Sequence, residues 1–289
     1  MARKKPMLRY ALEAALVYPL FAVAWVLPTP LASLLGAGIG QLFYYVHPGT
    51  CRARKNLQLA LPERAAEHED IIKGMWRNMG RVLFEYPHLN RLWDSGRLQV
   101  VGAEIAEANR NKPVVFVAAH LANWEIGPLV MAKNGWDIAG LYRPPNNPFI
   151  MPLLHFARRV SRQKLFPKSA KGAMDFMRHV RAGGYGGVIM DQRLTEGVEV
   201  PFFGHPVLAP SLAAMLAVRY GVTVIPTRVE RLGGTRQRGT VYPPLQVPAE
   251  GTDDQRITAM TASIYRVFEE WIRARPEQWL WMHDRWKLK

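Results

Sequence analysis

The chain has 289 residues, 49% hydrophobic and 21% charged, enough for one large domain or two small ones and unlike a disordered or low-complexity protein. Lys and Arg number 38 against 23 Asp and Glu, a formal charge of +15, so an anionic partner is expected: nucleic acid, an acidic membrane leaflet, an acidic protein or a phosphorylated molecule. Cys51 is the single cysteine, which excludes an internal disulfide and a thiolate zinc cluster.

In chain order, the first feature is an uncharged stretch from Ala14 to Val46, preceded by Arg3, Lys4 and Lys5 and followed by Arg52, Arg54 and Lys55. Pro28-Thr29-Pro30 divides it into Ala14–Leu27 and Leu31–Val46, each short of the ~20 apolar residues of a full span. Leu8–Leu27 just reaches if Glu13 lies among headgroups and Pro19 only kinks the helix. Residues 1–46 therefore read as a retained membrane anchor, spanning or re-entrant. The alternatives are a buried helical hairpin and a cleaved signal peptide, the latter opposed by apolar sequence that continues past any cleavage point. Gly36, Gly38 and Gly40 imitate a dinucleotide loop, but Gln41 stands at the last glycine position, and helix packing accounts for them better.

Residues 47–289 read as one catalytic domain. Helices are predicted at Thr50–Ala60 and Ala65–Trp93, with Leu61-Pro62 between them. Pro113–Ala119 (PVVFVAA) is a β-branched apolar run, the pattern of a strand buried on both faces. Further strands are expected at Ile138–Tyr142, Lys164–Pro167, Gly187–Asp191 and Val222–Val229, and helices at Pro148–Val160, Ala170–Ala182, Pro210–Tyr220 and Asp253–Arg275. The alternation predicts an α/β fold with a mainly parallel sheet covered by helices. The glycines at Gly183, Gly184, Gly186 and Gly187 read as a flexible turn.

Functional groups of open α/β sheets gather beyond the carboxyl ends of strands. Pro113–Ala119 ends directly in His120-Leu121-Ala122-Asn123-Trp124-Glu125. Positions five apart on a helix diverge by about 140°, so His120 and Glu125 meet only if the chain turns between them. Asn123 is a good helix N-cap, and the helix is expected to start between Trp124 and Pro128. A carboxylate on one imidazole nitrogen fixes the tautomer and leaves the other as a general base; a pair that merely ties loop to helix is the alternative. Arg143, Asp191-Gln192-Arg193 and Arg228 end three further strands, and arginines there suit phosphate or carboxylate. No Gly-x-Ser-x-Gly elbow and no tight histidine spacing is present, so neither a serine hydrolase nor a metal site is expected.

With these blocks in place, the chain resembles the late acyltransferases of lipid A biosynthesis, a branch of the lysophospholipid acyltransferase-like superfamily. His120–Glu125 matches the His-x-x-x-x-acid motif with the branch's glutamate. Tyr142-Arg143-Pro144 with Asn147-Pro148, Asp191-Gln192 with Pro201-Phe202-Phe203-Gly204, and the ending from Arg275 to Lys287 match in order. Leu121-Ala122 stand where Phe-Gly is frequent. The resemblance implies a catalytic domain on the cytoplasmic face of the inner membrane, acyl carrier protein as thioester donor, and a hydroxyl of a phosphorylated, Kdo-bearing lipid A precursor as acceptor. It implies His120 as general base oriented by Glu125; no cofactor is expected, and no metal or nucleic acid either, since the sequence has no tight histidine pair and no helix-turn-helix, zinc-finger or RNA-binding aromatic signature. Asn123, Arg143, Asp191, Gln192, Arg193, Gly204, Arg228 and Arg285 are the substrate-binding candidates. The rival readings are another lipid acceptor, such as a lysophospholipid or a phosphatidylinositol mannoside, and a basic membrane-binding protein without activity.

Overall fold

A computed structural model describes residues 7–193 and 197–287; the leading basic residues Arg3, Lys4 and Lys5 lie outside the described residues. Two apolar helices open the chain, α1 (Met7–Val26) and α2 (Thr29–Val46), and Pro19 sits inside α1 without ending it. Helix α1 is long and apolar enough to cross a membrane, and only Tyr10, Ala14 and Ala24 of it are buried. Next come α3 (Gly49–Ala60) and α4 (His68–Glu85). Gly36 and Gly40 of α2 lie against Gly80 of α4 so closely that a Cβ on Gly80 would stand 1.9 Å from the Gly36 carbonyl oxygen. Small residues four apart allow such backbone approach. Gly38 faces open space and takes no part.

The long helix expected at Ala65–Trp93 is interrupted at Tyr86–His88, where Pro87 removes a backbone donor, and resumes as α5 (Leu89–Asp94). Strand β1 (Leu98–Val101), helix α6 (Ala103–Glu107), β2 (Val114–Ala118) and α7 (Ile126–Lys133) follow. The chain continues with β3 (Ile138–Tyr142), α8 (Met151–Arg158), β4 (Lys164–Pro167), α9 (Ala170–Arg181) and β5 (Tyr185–Ile189). After a hairpin, β6 (Val198–Phe202) with β7 (His205–Ala209), come α10 (Leu212–Tyr220), β8 (Thr223–Gly233), β9 (Arg236–Val241) and α11 (Asp253–Ala274). Gly186 and Gly187 belong to β5 rather than to a turn; a Cβ on Gly186 would meet the Phe176 ring of α9 at 2.6 Å.

The main sheet has the order β1-β9-β8-β2-β5-β3-β4. Its five strands from β8 to β4 are parallel, as the alternating pattern predicts; β9 runs against β8, and β1 runs with β9. The β6–β7 hairpin stands apart as a two-stranded sheet. Successive side chains of a strand face opposite ways. On one face Val115 and Val117 of β2 pack with Phe176, Ala213, Ile264 and Phe268 of α9, α10 and α11. On the other, Val114 and Phe116 fall in a smaller cluster with Ala106 of α6, Met131 of α7, Trp136, and Ile138, Ile225 and Val241 of neighbouring strands. The thin cover on that second face leaves room for a cavity.

Candidate active site

Strands β2 and β5 are parallel neighbours in a register that aligns Ala118 with Ile189. Two residues further on each strand stand His120 and Asp191, so the sheet itself brings them together. His120 Nδ1 lies 2.6 Å from Asp191 Oδ1, and the His120 backbone N–H donates to Oδ2 at 3.1 Å. The Trp279 indole N–H and Arg285 also donate to Oδ2, at 2.7 and 3.2 Å. Burial alone would raise the Asp191 carboxyl, but His120, Arg285 and Trp279 outweigh it and hold the group well below the usual carboxylate range. An ionised carboxylate only accepts hydrogen bonds, so Nδ1 carries the hydrogen, and in the neutral ring Nε2 keeps its lone pair.

The pairing of His120 with Glu125 expected from the sequence is not the one formed. Glu125 is buried, and its two oxygens take the Tyr86 hydroxyl at 2.8 Å and Arg158 at 2.9 and 2.5 Å. Burial works against the charge on Arg158, but the Glu125 hydrogen bonds raise its pKa above that of an ordinary arginine. The reason is local geometry. After His120 the chain turns through Ala122 at φ 48°, and α7 then starts at Ile126. That turn carries Glu125 to the α8 side of the loop and sets the Trp124 ring 5.3 Å from the His120 ring, edge to face. A left-handed alanine costs roughly 1–2 kcal/mol. Its amide donates to the Gln278 carbonyl and its carbonyl accepts from Asn78.

His120, Trp124 and Glu125 line a cavity of about 1220 Å³ across the thinly covered face of the sheet. Ordinary small-molecule pockets occupy about 300–1,000 Å³, so this one suits a larger, amphiphilic occupant. Part of the wall is apolar, with Phe116, Ile138, Leu141 and Val241; Arg143, Arg158, Gln192, Arg193 and Arg228 supply polar groups. Arg143, Gln192 and Arg193 follow strand ends as the sequence reading expects, whereas Arg228, expected to end its strand, lies inside a longer one. Arg228 lies within β8, which continues to Gly233, and its Nε is buried with no hydrogen-bond partner among the described residues. Its ion pair with Glu230 is loose, at 3.9 Å.

Four candidates are placed differently. Asn123 is fully buried, and its amide donates to Glu85 rather than reaching a substrate. Asp191 is spent on His120, Trp279 and Arg285, so it orients instead of binding. Arg285 has its three nitrogens on the Asp191 carbonyl, the Leu280 carbonyl and the Asp191 carboxylate, and its guanidinium lies 3.7 Å from the Trp279 ring centroid. Arg285 still lines the cavity, but three of its five N–H donors hold the Asp191 loop and the Leu280 carbonyl, so its first role is to brace Asp191. Gly204 is an exposed turn residue at φ 75° between β6 and β7, outside the cavity.

Three cavity residues escape sequence reasoning. Arg158 and Tyr86 become visible only once α4 and α8 flank Glu125. His283 lines the cavity with its ring 6.4 Å from that of His120. Burial, then the charges of Arg285 and His120, push His283 down to about 4, so its ring is neutral at pH 7. Membership of the ordered C-terminal block was the only signal for it.

A histidine–aspartate pair at the ends of two parallel strands, opening on a partly apolar cavity lined by several arginines, defines an α/β protein with a candidate acid–base site. The model of the family "Bacterial lipid A biosynthesis acyltransferase" matches residues 1–288, and the chain belongs to that family. It is an acyl-transferring enzyme of lipid A biosynthesis. A lipid A biosynthesis acyltransferase of Haemophilus influenzae is 27% identical over 275 residues, covering 91% of this chain and 86% of the relative. The lipid A biosynthesis lauroyltransferase of Escherichia coli is 26% identical, covering 96% and 95%. The myristoyltransferase of Escherichia coli is 27% identical over 243 residues, covering 80% and 73%. The crystal structure of the 1-acyl-sn-glycerophosphate (LPA) acyltransferase PlsC of Thermotoga maritima aligns at 13% identity with a TM-score of 0.41, covering 85% of this chain and 98% of that one.

Proposed function

We propose that the enzyme transfers a fatty acyl chain from an acyl-carrier-protein thioester to a hydroxyl of a Kdo-bearing lipid A precursor, with His120 as general base and Asp191 as the carboxylate that orients it. The observation that carries this reading is the 2.6 Å contact between His120 Nδ1 and Asp191, which commits one ring nitrogen and leaves Nε2 for the reaction. His120 Nε2 takes the proton of the acceptor hydroxyl as its oxygen attacks the thioester carbonyl. The tetrahedral intermediate collapses, the carbon–sulfur bond breaks, and the imidazolium returns the proton to the leaving thiolate. Asp191 stabilises the imidazolium in between. Glu125 acts one step back, holding Arg158 in the cavity wall.

Arg143, Arg193 and Arg228 are the groups for the phosphates of the acceptor, with Gln192 beside them; Arg228 carries the unmet donor. The apolar wall takes the acyl chain. An acidic carrier protein and an anionic glycolipid both suit a chain of charge +15. Residues 1–46 serve as anchor in the inner membrane, with the exposed leucines of α1 and α2 toward lipid, and residues 47–289 work at the cytoplasmic face. The test is transfer of radiolabelled acyl groups from acyl carrier protein to a tetra-acylated, Kdo-bearing precursor. Wild type is expected to transfer, and His120→Ala to lose about 10²–10⁴-fold while staying folded. Undiminished turnover by that variant would remove His120 from the chemistry, and no transfer by wild type would point to another acceptor.

A further inference from the structure

Directly behind the turn that follows His120 lies a second buried carboxylate, Glu85 at the end of α4, which takes no part in the cavity. It accepts five hydrogen bonds from four side chains: Ser33, Asn123, Gln237 and, twice, Arg231. Arg231 is itself buried and carries its Nε to Asn78 at 3.0 Å. Asn78 in turn donates to the carbonyl of Ala122, the left-handed residue of the turn. Gln237, the other Glu85 partner on β9, accepts the Asn123 N–H at 3.3 Å. Both polar ends of the Ala122 peptide, and the residue after it, are therefore tied down by a network centred on the Glu85–Arg231 pair.

A buried ion pair is weak evidence for stability, because desolvation consumes most of its attraction. Here the pair has a geometric consequence instead. A left-handed alanine persists only where its surroundings over-determine it, and these surroundings do. The turn sets the direction in which Trp124 and Glu125 leave His120, so its conformation fixes the wall against which the reacting groups meet. Glu85 also holds Ser33 of α2, so the same carboxylate joins the apolar N-terminal hairpin to the His120 loop.

We propose that Glu85, clamped by Arg231, is a positioning residue for acyl transfer that holds the Ala122 turn in its left-handed form and thereby aligns the His120–Glu125 loop. This rests on the reading of His120 as general base, but it makes a structural claim that is read without turnover. Hydrogen exchange over residues 119–126 is compared in wild type, Glu85→Gln and Asn123→Ala, with α11 as internal reference. Asn123→Ala spares the Glu85–Arg231 pair but removes both the bond to Glu85 and the Asn123 Oδ1 bond from the Glu125 N–H. Asn123→Ser, whose hydroxyl can still take that N–H but is too short to reach Glu85, is therefore measured beside it and decides the matter if Glu85→Gln does not fold. Exchange over 119–126 is expected to rise at least several-fold in each folded variant, with α11 unchanged. In transfer assays kcat is expected to fall about 10–100-fold, as small misplacements near reacting groups do, with KM for both substrates unchanged. Adding Ala122→Gly, which occupies the left-handed region freely, is expected to return part of the lost kcat. Unchanged exchange over 119–126, or an intact kcat per folded molecule, would overturn the proposal. Failure of wild type to transfer at all would instead strike the assigned reaction and leave the exchange result to judge the turn.

Discussion

Two buried carboxylates flank the loop that carries His120, and they are built for opposite tasks. Asp191 comes from a distant strand, 71 residues along the chain, yet it meets the imidazole directly because β2 and β5 pair in register. Glu125 is five residues away in sequence and faces an arginine and a tyrosine. The difference teaches that a short motif spacing reports the loop that holds the residues, whereas the sheet decides which of them touch. Asp191 is surrounded by donors that keep it charged beside a titratable base. Glu125 has a permanent cation, Arg158, and so acts as a fixed piece of wall.

The largest effect should come from removing charge at Asp191. Asp191→Asn retains shape but lets the amide offer its N–H to His120 and favour the wrong tautomer. Initial transfer rates are expected to drop roughly 10³–10⁴-fold, the order seen when an orienting carboxylate is lost. Glu125→Ala is expected to act more on stability than on rate, because it leaves the part-buried Arg158 without its carboxylate. Denaturant unfolding should show a loss of about 1–3 kcal/mol, less than for a fully buried pair, of which Glu125→Ala with Arg158→Met recovers a large part. Full recovery of transfer in that double variant would also sharpen the contrast, since no such rescue is open to Asp191.

Acid stability separates the two sides further. His283, near the Asp191 end, is held at about 4 against 6.5 in an unfolded chain. The unfolded chain therefore binds the extra proton first, and stability falls as pH drops from about 6.5 to 4, by on the order of 1–3 kcal/mol from this residue. Unfolding free energies measured across that window should show a shallower decline in His283→Asn. The smallest effect belongs to the turn between the carboxylates. Ala122→Gly exchanges left-handed strain for unfolded-state entropy, and thermal unfolding is expected to show a net gain of about 0.5 kcal/mol.

Much of the fold is legible in the sequence. The β-branched run at Pro113–Ala119 announces a strand buried on both sides, and the alternation of runs announces the parallel sheet. The antiparallel β9 and edge strand β1 are not legible, since Arg236–Val241 (RQRGTV) and Leu98–Val101 (LQVV) are short and largely polar or isolated. Of the site, His120, Arg143 and Arg193 can be read from strand ends, because sheet topology collects such residues at one edge, whereas Arg228 lies inside β8, five residues before its end. Partner choice cannot: it depends on which strands neighbour each other and on a left-handed alanine that no pattern signals. The Leu121-Ala122 departure from Phe-Gly falls on that residue, two positions after His120, so it bears on the geometry of the turn.

The central claim, that Asp191 rather than Glu125 orients the base, is tested most directly by the tautomer of His120. Nitrogen-15 NMR of histidine-labelled enzyme, with the His120 signal assigned by its loss in His120→Ala, reads which ring nitrogen carries the hydrogen. The expected result is an Nδ1–H tautomer in wild type and in a conservative Glu125→Gln variant, and its loss in Asp191→Asn. A His120 ring that keeps the Nδ1–H form in Asp191→Asn but changes in Glu125→Gln would contradict the account.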